Sequence, residues 1–362
     1  MKSRSTRSSK RIPDRNLLPD TLRSRVNVPL YSTNLGSLFC GKSDELLALP
    51  WSRKYDGKAQ LIFTSPPFPL NTKKEYGNLI GPAYVKWLSS FAPRLKELLT
   101  PNGSIVMEIG NSWQRGEPVM SLTVLKALIR FLEKGKFHLC QEFVWYNPAR
   151  LPSPIQWVNV ERSRVKDAFT RIWWMSPVVR PKADNRRVLR EYSASMKHLI
   201  KTGKYNSGPR PSQYVIGRKS FVADNGGAIP PNVFGANEIP SLSNVLKGSN
   251  TRSSEKYQTF CRDHGVPLHP ARMPPELAEF FIKFLTEKDD LVVDPFAGSN
   301  TTGEVAEKFG RRWLAFEPRF DYAAASMSRF LPDVSDKARA KKIVAALQDD
   351  ASSTAKSPVL TS

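Results

Sequence analysis

The chain has 362 residues, and its 55 Lys and Arg against 33 Asp and Glu give a formal net charge of +22. Hydrophobic residues make up 40%, enough to form a core, which excludes a disordered polycation. The sequence has no run of about 18 apolar residues and no apolar stretch after its basic start, which argues against a membrane span and a secretory signal. Three distant cysteines and four histidines without ligand spacing predict neither disulfides nor a metal site. We therefore expect a soluble, cytoplasmic protein whose partner is a polyanion, most simply nucleic acid.

Composition divides the chain into segments. Residues 1–25 are a basic arm, and residues 333–362 are expected to form a C-terminal helix and tail. Residues 176–262 have little periodicity and many Pro, Gly, Ser and Asn. Between residues 160 and 220, fifteen Lys and Arg accompany four Asp and Glu, so half of the excess charge lies in one sixth of the chain. A long, irregular, basic segment of this kind is typical of a functional surface region.

The hydrophobic pattern predicts alternating strands and helices. Short apolar runs that are typical of strands buried on both faces lie at residues 59–64, 103–110, 290–294 and 312–317. Apolar residues at helical spacing predict helices at residues 84–99, with a possible kink at Pro93, 275–286 and 302–309. The alternation predicts an α/β protein with a doubly wound sheet.

A glycine-containing turn, DPFAGSNTTG, follows the third of these strands at residues 294–303. Glycine lets the backbone turn tightly and approach a ligand, and the helix N-terminus that follows favours a polar or negative group. Glu317 ends the next strand, where a carboxylate can accept hydrogen bonds from both hydroxyls of a ribose. No Lys follows the second glycine, so the turn is not a P-loop. The combination predicts a site for a nucleoside-containing cofactor rather than an ordinary turn.

A second motif, TSPPF at residues 64–68, lies at the end of the first predicted strand. Its two prolines remove two N–H donors, which leaves the carbonyls of Ser65 and Pro66 as outward acceptors. The Ser65 hydroxyl is a further acceptor, and Phe68 offers a flat apolar face. Such a set suits a planar base with an exocyclic amino group. The structural alternative is a rigid turn between strand and loop.

Taken together, the two motifs resemble those of the amino-methylating DNA methyltransferases of restriction–modification systems, which use S-adenosylmethionine. The SPPF form is typical of N4-cytosine enzymes, whereas their adenine-modifying relatives more often carry Asp or Asn in place of the Ser. The catalytic motif precedes the cofactor motif, as in the permuted β class. The resemblance covers residues 30–175 and 265–332 and implies a Rossmann-like methyltransferase sheet, with the basic segment inserted as a target-recognition region.

The resemblance also implies a role for each motif. The implied catalytic residues are Ser65, Pro66, Pro67 and Phe68. In this family a flipped base stacks on the aromatic residue, while the hydroxyl and a proline carbonyl hold the amino group for direct methyl transfer, here to N4 of cytosine in duplex DNA. The implied cofactor-binding residues are Asp294, Pro295, Phe296, Ala297, Gly298, Ser299, Asn300, Thr301, Thr302, Gly303 and Glu317, together with His269, Pro270 and Ala271.

Cations near the predicted recognition region are candidates for DNA contacts. They are Arg162, Arg164, Lys166, Arg180, Lys182, Arg186, Arg187 and Arg190. Sequence alone does not separate phosphate contacts from base reading, and a solvated strand face is the alternative for the first three. The arm residues are expected to add salt-sensitive affinity or to have no role. They are Lys2, Arg4, Arg7, Lys10 and Arg11.

These assignments predict five segments: the arm 1–25, a catalytic half 26–175, a target-recognition region 176–262, a cofactor-binding half 263–332 and the tail 333–362. The expected partners are duplex DNA and a cognate restriction endonuclease, and the protein is expected to be monomeric and associated with the nucleoid. Alternatives are N6-adenine methylation, an RNA substrate, a DNA-binding module with a decayed cofactor site, and a nucleotide-dependent dehydrogenase. Trp173 and Trp174 are expected to pack in the core, with sandwiching of a flipped base as the second interpretation.

Overall fold

The structure is a computed structural model that describes residues 27–71, 79–147, 150–205, 207–217, 221–234 and 256–330. The predicted arm and tail lie outside these residues, as does part of the predicted recognition region. No helix among the described residues is both long and apolar enough to cross a membrane.

Strands and helices alternate through most of the described chain. The strands are β1 (Tyr31–Ser32), β2 (Gly36–Cys40), β3 (Ala59–Thr64), β4 (Leu99–Gly110), β5 (His138–Tyr146), β6 (Phe169–Ser176), β7 (Gly208–Pro209), β8 (Val215–Ile216), β9 (Val233–Phe234), β10 (Leu291–Asp294) and β11 (Arg312–Glu317). The α-helices are α1 (Ser43–Ala48), α2 (Gly81–Ser90), α3 (Ala92–Leu98), α4 (Thr123–Gly135), α5 (Ala194–Thr202), α6 (Lys256–Asp263), α7 (Pro275–Leu285), α8 (Thr301–Lys308) and α9 (Phe320–Ser326).

One large sheet organises these elements, in the order β1-β2-β11-β10-β3-β4-β6-β5-β9. The five adjacent strands β2, β11, β10, β3 and β4 run parallel to one another, whereas β6 is antiparallel to both β4 and β5. The carboxyl ends of the parallel strands therefore share one edge, together with the end of β5 and the start of β6. We call this the carboxyl edge, and the opposite one the amino edge. The predicted doubly wound sheet is confirmed.

Helices cover both faces of the sheet in the described part of the chain. Helices α2, α3 and α4 pack on one face, with Tyr84 and Phe131 fully buried among them, and Leu46 and Leu47 of α1 join the cluster on that face. Helices α7, α8 and α9 cover the other, where Phe281 is fully buried. Because both faces are covered, every residue of β3 is buried, which explains why four of its six residues are apolar.

The first predicted helix is divided in two. Helix α2 ends at Ser90 and α3 begins at Ala92, with Phe91 between them. Pro93 lies in the first turn of α3, where its missing N–H costs nothing, but it could not continue α2.

The segment 176–262 is less irregular than the sequence predicts. It contains helix α5, and its strand β9 joins the large sheet beside β5. At its far end, Tyr257 and Phe260 of α6 are fully buried against the end of α9 and the 3₁₀ turn Met327–Phe330. Sequence patterns missed these pieces because a two-residue strand and helices of eight or nine residues give weak periodic signals.

Candidate active site

The two predicted motifs lie side by side at the carboxyl edge. Strand β3, which Ser65 follows, pairs in parallel with β10, which ends at Asp294. The Thr64 hydroxyl donates to Asp294 Oδ1 at 2.7 Å, and the Thr302 hydroxyl donates to Oδ2 at 2.6 Å. Asp294 is buried, and this burial raises its pKa while the hydrogen bonds act in the opposite direction. Asp294 thus joins the catalytic strand to the glycine turn.

The glycine turn has a backbone shape that its sequence explains. Gly298 has φ +54°, and a Cβ there would come within 3.0 Å of the His269 ring, so a side chain would be both strained and crowded. Asn300, at φ +55°, caps α8 by accepting from the Gly303 N–H at 3.1 Å. Its amide also donates to the Tyr31 hydroxyl at 2.9 Å. The turn is therefore held in place before any ligand binds.

Glu317 closes the turn from the neighbouring strand. Its Oε2 accepts from the Gly298 N–H at 2.9 Å and its Oε1 from the Arg319 N–H at 2.9 Å. Burial raises the pKa of Glu317 to about 7, against the opposing effect of these two backbone groups. A carboxylate oxygen can accept a second hydrogen bond, so a ribose hydroxyl can be added without breaking either contact.

Both motifs line one cleft of about 290 Å³. Its wall includes all four predicted catalytic residues and most of the predicted cofactor residues: Asp294, Phe296, Ala297, Gly298, Ser299, Thr301, Thr302, Glu317, His269, Pro270 and Ala271. A larger hollow of about 460 Å³ near Tyr31 and Arg329 contains no residue of either motif. The chemistry therefore selects the smaller cleft.

Three predicted cofactor residues do not line the cleft. They are Pro295, Asn300 and Gly303, and the last two form the helix cap described above. Their part in the site is to shape the turn. The remaining residues fit a nucleoside cofactor, since they combine a buried carboxylate, a helix start and apolar walls within one cleft.

Phe68 lies against the end of β4. A Cβ at Gly110 would come within 2.6 Å of the Phe68 ring, so only glycine leaves room for the ring there. Phe68 is half-buried and packs against the core, while part of it lines the cleft. The sequence predicts the ring but not the glycine that seats it.

Sequence reasoning missed Glu108, which lies in the wall beside Ser65. Burial raises the pKa of Glu108, and the Ser65 hydroxyl and the Arg150 charge act in the opposite direction. The sequence did contain a signal for Glu108, because it is the one acidic residue in an otherwise apolar run in β4.

Arg150 and Trp145 also line the cleft and were not predicted. Burial lowers the pKa of Arg150, against the attraction of Glu108 and Asp167, and its guanidinium donates to the Phe169 carbonyl at 3.1 Å. Arg150 lies in the connection between β5 and β6, whose sequence has no period, so only the fold could place it in the cleft.

Trp173 and Trp174 are buried in β6, as the core interpretation predicts. The Trp174 indole donates to the Ser104 hydroxyl at 2.9 Å, and the Trp173 indole donates to Glu142 at 3.2 Å. Neither ring lines the cleft.

The predicted DNA-binding cations have two kinds of surroundings. Lys182 lies 2.8 Å from Asp290 and 2.9 Å from Glu287, and Arg187 also pairs with Glu287. Arg186 pairs with Asp184 at 2.8 Å. Glu287 and Asp290 lie at the amino edge, just before β10, whereas the cleft opens at the carboxyl edge. The structure favours a role for Lys182 and Arg187 in fastening the segment after β6, whereas the Arg186 side chain is 81% exposed and its pairing is with a residue of its own turn. DNA contact by all three stays a prediction.

The other five cations are arranged differently. Arg162 and Lys166 are exposed in the loop between β5 and β6, and Arg164 lies 3.5 Å from Asp167 there. Arg180 is exposed, and Arg190 is half-buried in a segment whose backbone pairs with Ala228. DNA contact by these five also stays a prediction.

Comparison with known proteins identifies the family of the chain. Residues 59–328, about three quarters of the chain, match the N6/N4 family model described as DNA methylase. The chain therefore belongs to the DNA methylase family.

Among its relatives is the Type II methyltransferase M.PvuII of Proteus hauseri, 46% identical over 306 residues, which are 84% of this chain and 86% of the relative. M.ScaI of Streptomyces caespitosus is 24% identical over 310 residues, or 85% of each protein. The solved structure of the PvuII DNA methyltransferase, described as cytosine-N4-specific, aligns with a TM-score of 0.67 and 37% identity over 89% of this chain and 95% of that one. The predicted family and the predicted fold are confirmed.

Proposed function

We propose that this protein transfers a methyl group from S-adenosylmethionine to the exocyclic N4 of a cytosine flipped out of duplex DNA. The single observation that carries the proposal is the shared cleft, in which Ser65 to Phe68 face the glycine turn and Glu317. The similarity to a cytosine-N4-specific methyltransferase at 37% identity over almost the whole chain supports the same choice of base.

The cofactor part of the cleft would hold S-adenosylmethionine through Glu317 and the turn around Gly298. When bound, this cofactor supplies an electrophilic methyl group on a sulfonium. Glu317 would accept hydrogen bonds from the ribose hydroxyls, and His269 to Ala271 would enclose the methionine part. Burial lowers the pKa of His269 to about 4, which favours the neutral ring in a cleft that would hold a cationic cofactor.

The catalytic part would position the base. An exocyclic amino group is a poor nucleophile because its lone pair is delocalised into the ring. The Ser65 hydroxyl and the Pro66 carbonyl would accept its two N–H groups and direct the lone pair toward the methyl group, while Phe68 stacks on the ring. Rate enhancement would come mainly from orientation. No nucleophilic cysteine would be required, since the amino nitrogen would bond directly to the methyl carbon as the carbon–sulfur bond breaks with its electron pair going to sulfur. The nitrogen would then release one proton to water.

The proposal extends to the setting of the reaction. The protein would act as the modification enzyme of a restriction–modification system, paired with a cognate endonuclease, as a monomer in the cytoplasm associated with the nucleoid. Residues 176–262 would read the target sequence, and the arm would add non-specific affinity.

The experiment is to identify the methylated base. The protein is incubated with duplex DNA and a methyl-labelled donor, the DNA is digested to nucleosides, and the label is expected in N4-methylcytosine. N6-methyladenine as the sole product would overturn the choice of base, and label only in an RNA substrate would overturn DNA as the substrate. Sequencing of DNA from cells that express the protein then gives the target sequence.

Retained cofactor binding without any methylated product on DNA or RNA would instead favour a non-catalytic DNA-binding module. Hydride transfer from a nicotinamide cofactor would favour the dehydrogenase. The intact SPPF motif and its place beside the glycine turn favour the methyltransferase over both.

A further inference from the structure

The loop between β5 and β6 leaves the sheet where the cleft opens. Tyr146, at the end of β5, pairs with Phe169, at the start of β6, and the next residue, Thr170, pairs with Gly110 at the end of β4. Since β4 is parallel to β3, all these ends lie at the carboxyl edge with Ser65. We call residues 150–167 of this connection the β5–β6 loop.

The β5–β6 loop is anchored rather than extended into solvent. Trp157 is buried, and its carbonyl accepts from the N–H groups of Ser163 at 2.9 Å and Arg164 at 3.2 Å. The Arg164 guanidinium also donates to the Pro118 carbonyl at 3.2 Å. At its start, Arg150 lines the cleft. The fold therefore holds this loop at the mouth of the cleft.

Four apolar side chains of the anchored loop point away from the core. Leu151 is 82% exposed, Val165 87%, Ile155 66% and Val160 65%. A single exposed apolar side chain needs no explanation, but four within fifteen residues around one buried tryptophan indicate a contact surface.

Positive charge is interleaved with these apolar residues. Val160, Arg162, Arg164, Val165 and Lys166 follow one another within seven positions, and in the whole loop four Lys and Arg accompany two Asp and Glu. Such a surface fits a polyanion that exposes apolar groups. A duplex does so at a step where one base has left the stack, because the phosphates stay outside and the faces of the neighbouring bases are uncovered.

We infer that the β5–β6 loop is a wedge that enters the gap left in the duplex by the flipped cytosine. Leu151 and Val165, the two most exposed apolar side chains of the loop, would fill the gap, while Arg162 and Lys166 contact the flanking phosphates. This inference rests on the proposed function. Extruding a base costs a few kcal/mol in lost pairing and stacking, and apolar side chains that refill the stack offset part of that cost.

The test compares two duplexes that contain the target sequence from the expressing cells. In the first the target cytosine is paired, and in the second the opposite nucleotide is an abasic site, so flipping costs less. The protein variant is Leu151→Ser with Val165→Ser. Ile129→Ser is the matched control, because Ile129 is 56% exposed on α4 and does not line the cleft. The readout is the single-turnover methylation rate with saturating S-adenosylmethionine.

We expect the double variant to lose about 10- to 100-fold on the paired duplex, which corresponds to part of the few kcal/mol of unpairing. It should return to nearly the wild-type rate on the unpaired target, and Ile129→Ser should match the wild type on both. Full activity of the double variant on the paired duplex would overturn the wedge, and so would an equal loss on both duplexes.

The alternative occupant of this surface is a second copy of the chain, and sedimentation without DNA tests for it. If the wild type forms dimers that the double variant abolishes, the loop is a self-interface and the wedge is wrong. An inactive wild type on both duplexes would overturn the proposed function and the wedge with it, whereas an active wild type with an unaffected double variant would overturn the wedge alone.

Discussion

Two basic regions of this molecule contribute to the same excess of charge, yet their surroundings differ. The β5–β6 loop lies at the carboxyl edge of the sheet, where the cleft opens, and Arg162 and Lys166 are exposed there. Lys182 and Arg187 lie at the amino edge, against Asp290 and Glu287. A count of positive residues therefore overstates the charge that is available to DNA, because carboxylates of the same fold neutralise part of it.

The largest expected effect tests whether the carboxyl edge is the reactive one. Ser65→Ala removes an acceptor for the amino group, and Phe68→Ala removes the stacking face. Ser65→Ala should lower the methylation rate by about 10²- to 10³-fold, the size seen when one positioned polar group is removed from an active site. Phe68→Ala should lower it by about 5- to 150-fold, since stacking of a base on an aromatic ring contributes about 1–3 kcal/mol. Cofactor affinity, measured by calorimetry, should stay near that of the wild type because neither side chain belongs to the glycine turn.

The result that would contradict this assignment is full turnover by both variants. Loss of cofactor binding together with turnover would show instead that the two halves of the cleft are not separate. Circular dichroism melting provides the control, since a variant that fails to fold would lose both properties at a lower Tm.

A second effect concerns Glu317 and pH within the cofactor half. The pKa of Glu317 is raised to about 7 in the folded protein, whereas in the unfolded chain it has its ordinary, lower value. Between these two values the folded protein keeps a proton on Glu317 that the unfolded chain has lost. Between its ordinary pKa and about 7, this group therefore makes stability fall as pH rises. Two ribose hydroxyls need the ionised form, so cofactor affinity should rise with pH, by up to about tenfold per pH unit, and level off above 7.

The measurement is calorimetric affinity from pH 5.5 to 8.5 for the wild type and for Glu317→Gln, which keeps the shape without the titration. Because both proteins meet the same ligand, the difference between their slopes reports Glu317. Parallel slopes would show that Glu317 is not the group that titrates on binding.

The smallest effects bear directly on the two basic regions. Arg162→Ala with Lys166→Ala should weaken DNA binding and lower the salt slope of log K by about 2, one for each lost phosphate contact. Lys182→Ala should leave the salt slope unchanged and lower the free energy of unfolding by about 1 kcal/mol at most, because its ion pairs are partly exposed.

The two variants are controls for each other, with DNA affinity measured by fluorescence anisotropy over a range of salt concentrations. An equal drop in salt slope would show that the amino edge also contacts DNA. A drop in salt slope for Lys182→Ala alone would show that the amino edge contacts DNA and the carboxyl edge does not.

Much of the fold follows from local patterns, and particular strands show why. Strands β3 and β11 lie at residues 59–64 and 312–317, as predicted, because a strand covered on both faces is mostly apolar, as the central residues of both are. The SPPF and DPFAGSNTTG motifs could be recognised because each is a run of neighbouring residues in which proline fixes its own φ or glycine permits the positive φ that a tight turn needs. The predicted ribose carboxylate, Glu317, does line the cleft.

Other features depend on residues that are distant in the chain. Glu108 and Arg150 enter the cleft only because β4 and the end of β5 share an edge with β3. Short pieces such as β9 have too few residues for a periodic signal, and their place in the sheet comes from pairing with β5.

The sequence by itself determined the strands that must be buried, the two motifs and the family, because each of these depends on residues that are neighbours in the chain. The tertiary structure decided which side chains meet: Thr64 with Asp294, Phe68 with Gly110, and Lys182 with Asp290. These meetings depend on strand order and register, which bring together residues as much as 230 positions apart. For the same reason the sequence could count the positive charges, but only the fold could show which of them face carboxylates and which lie exposed beside the cleft.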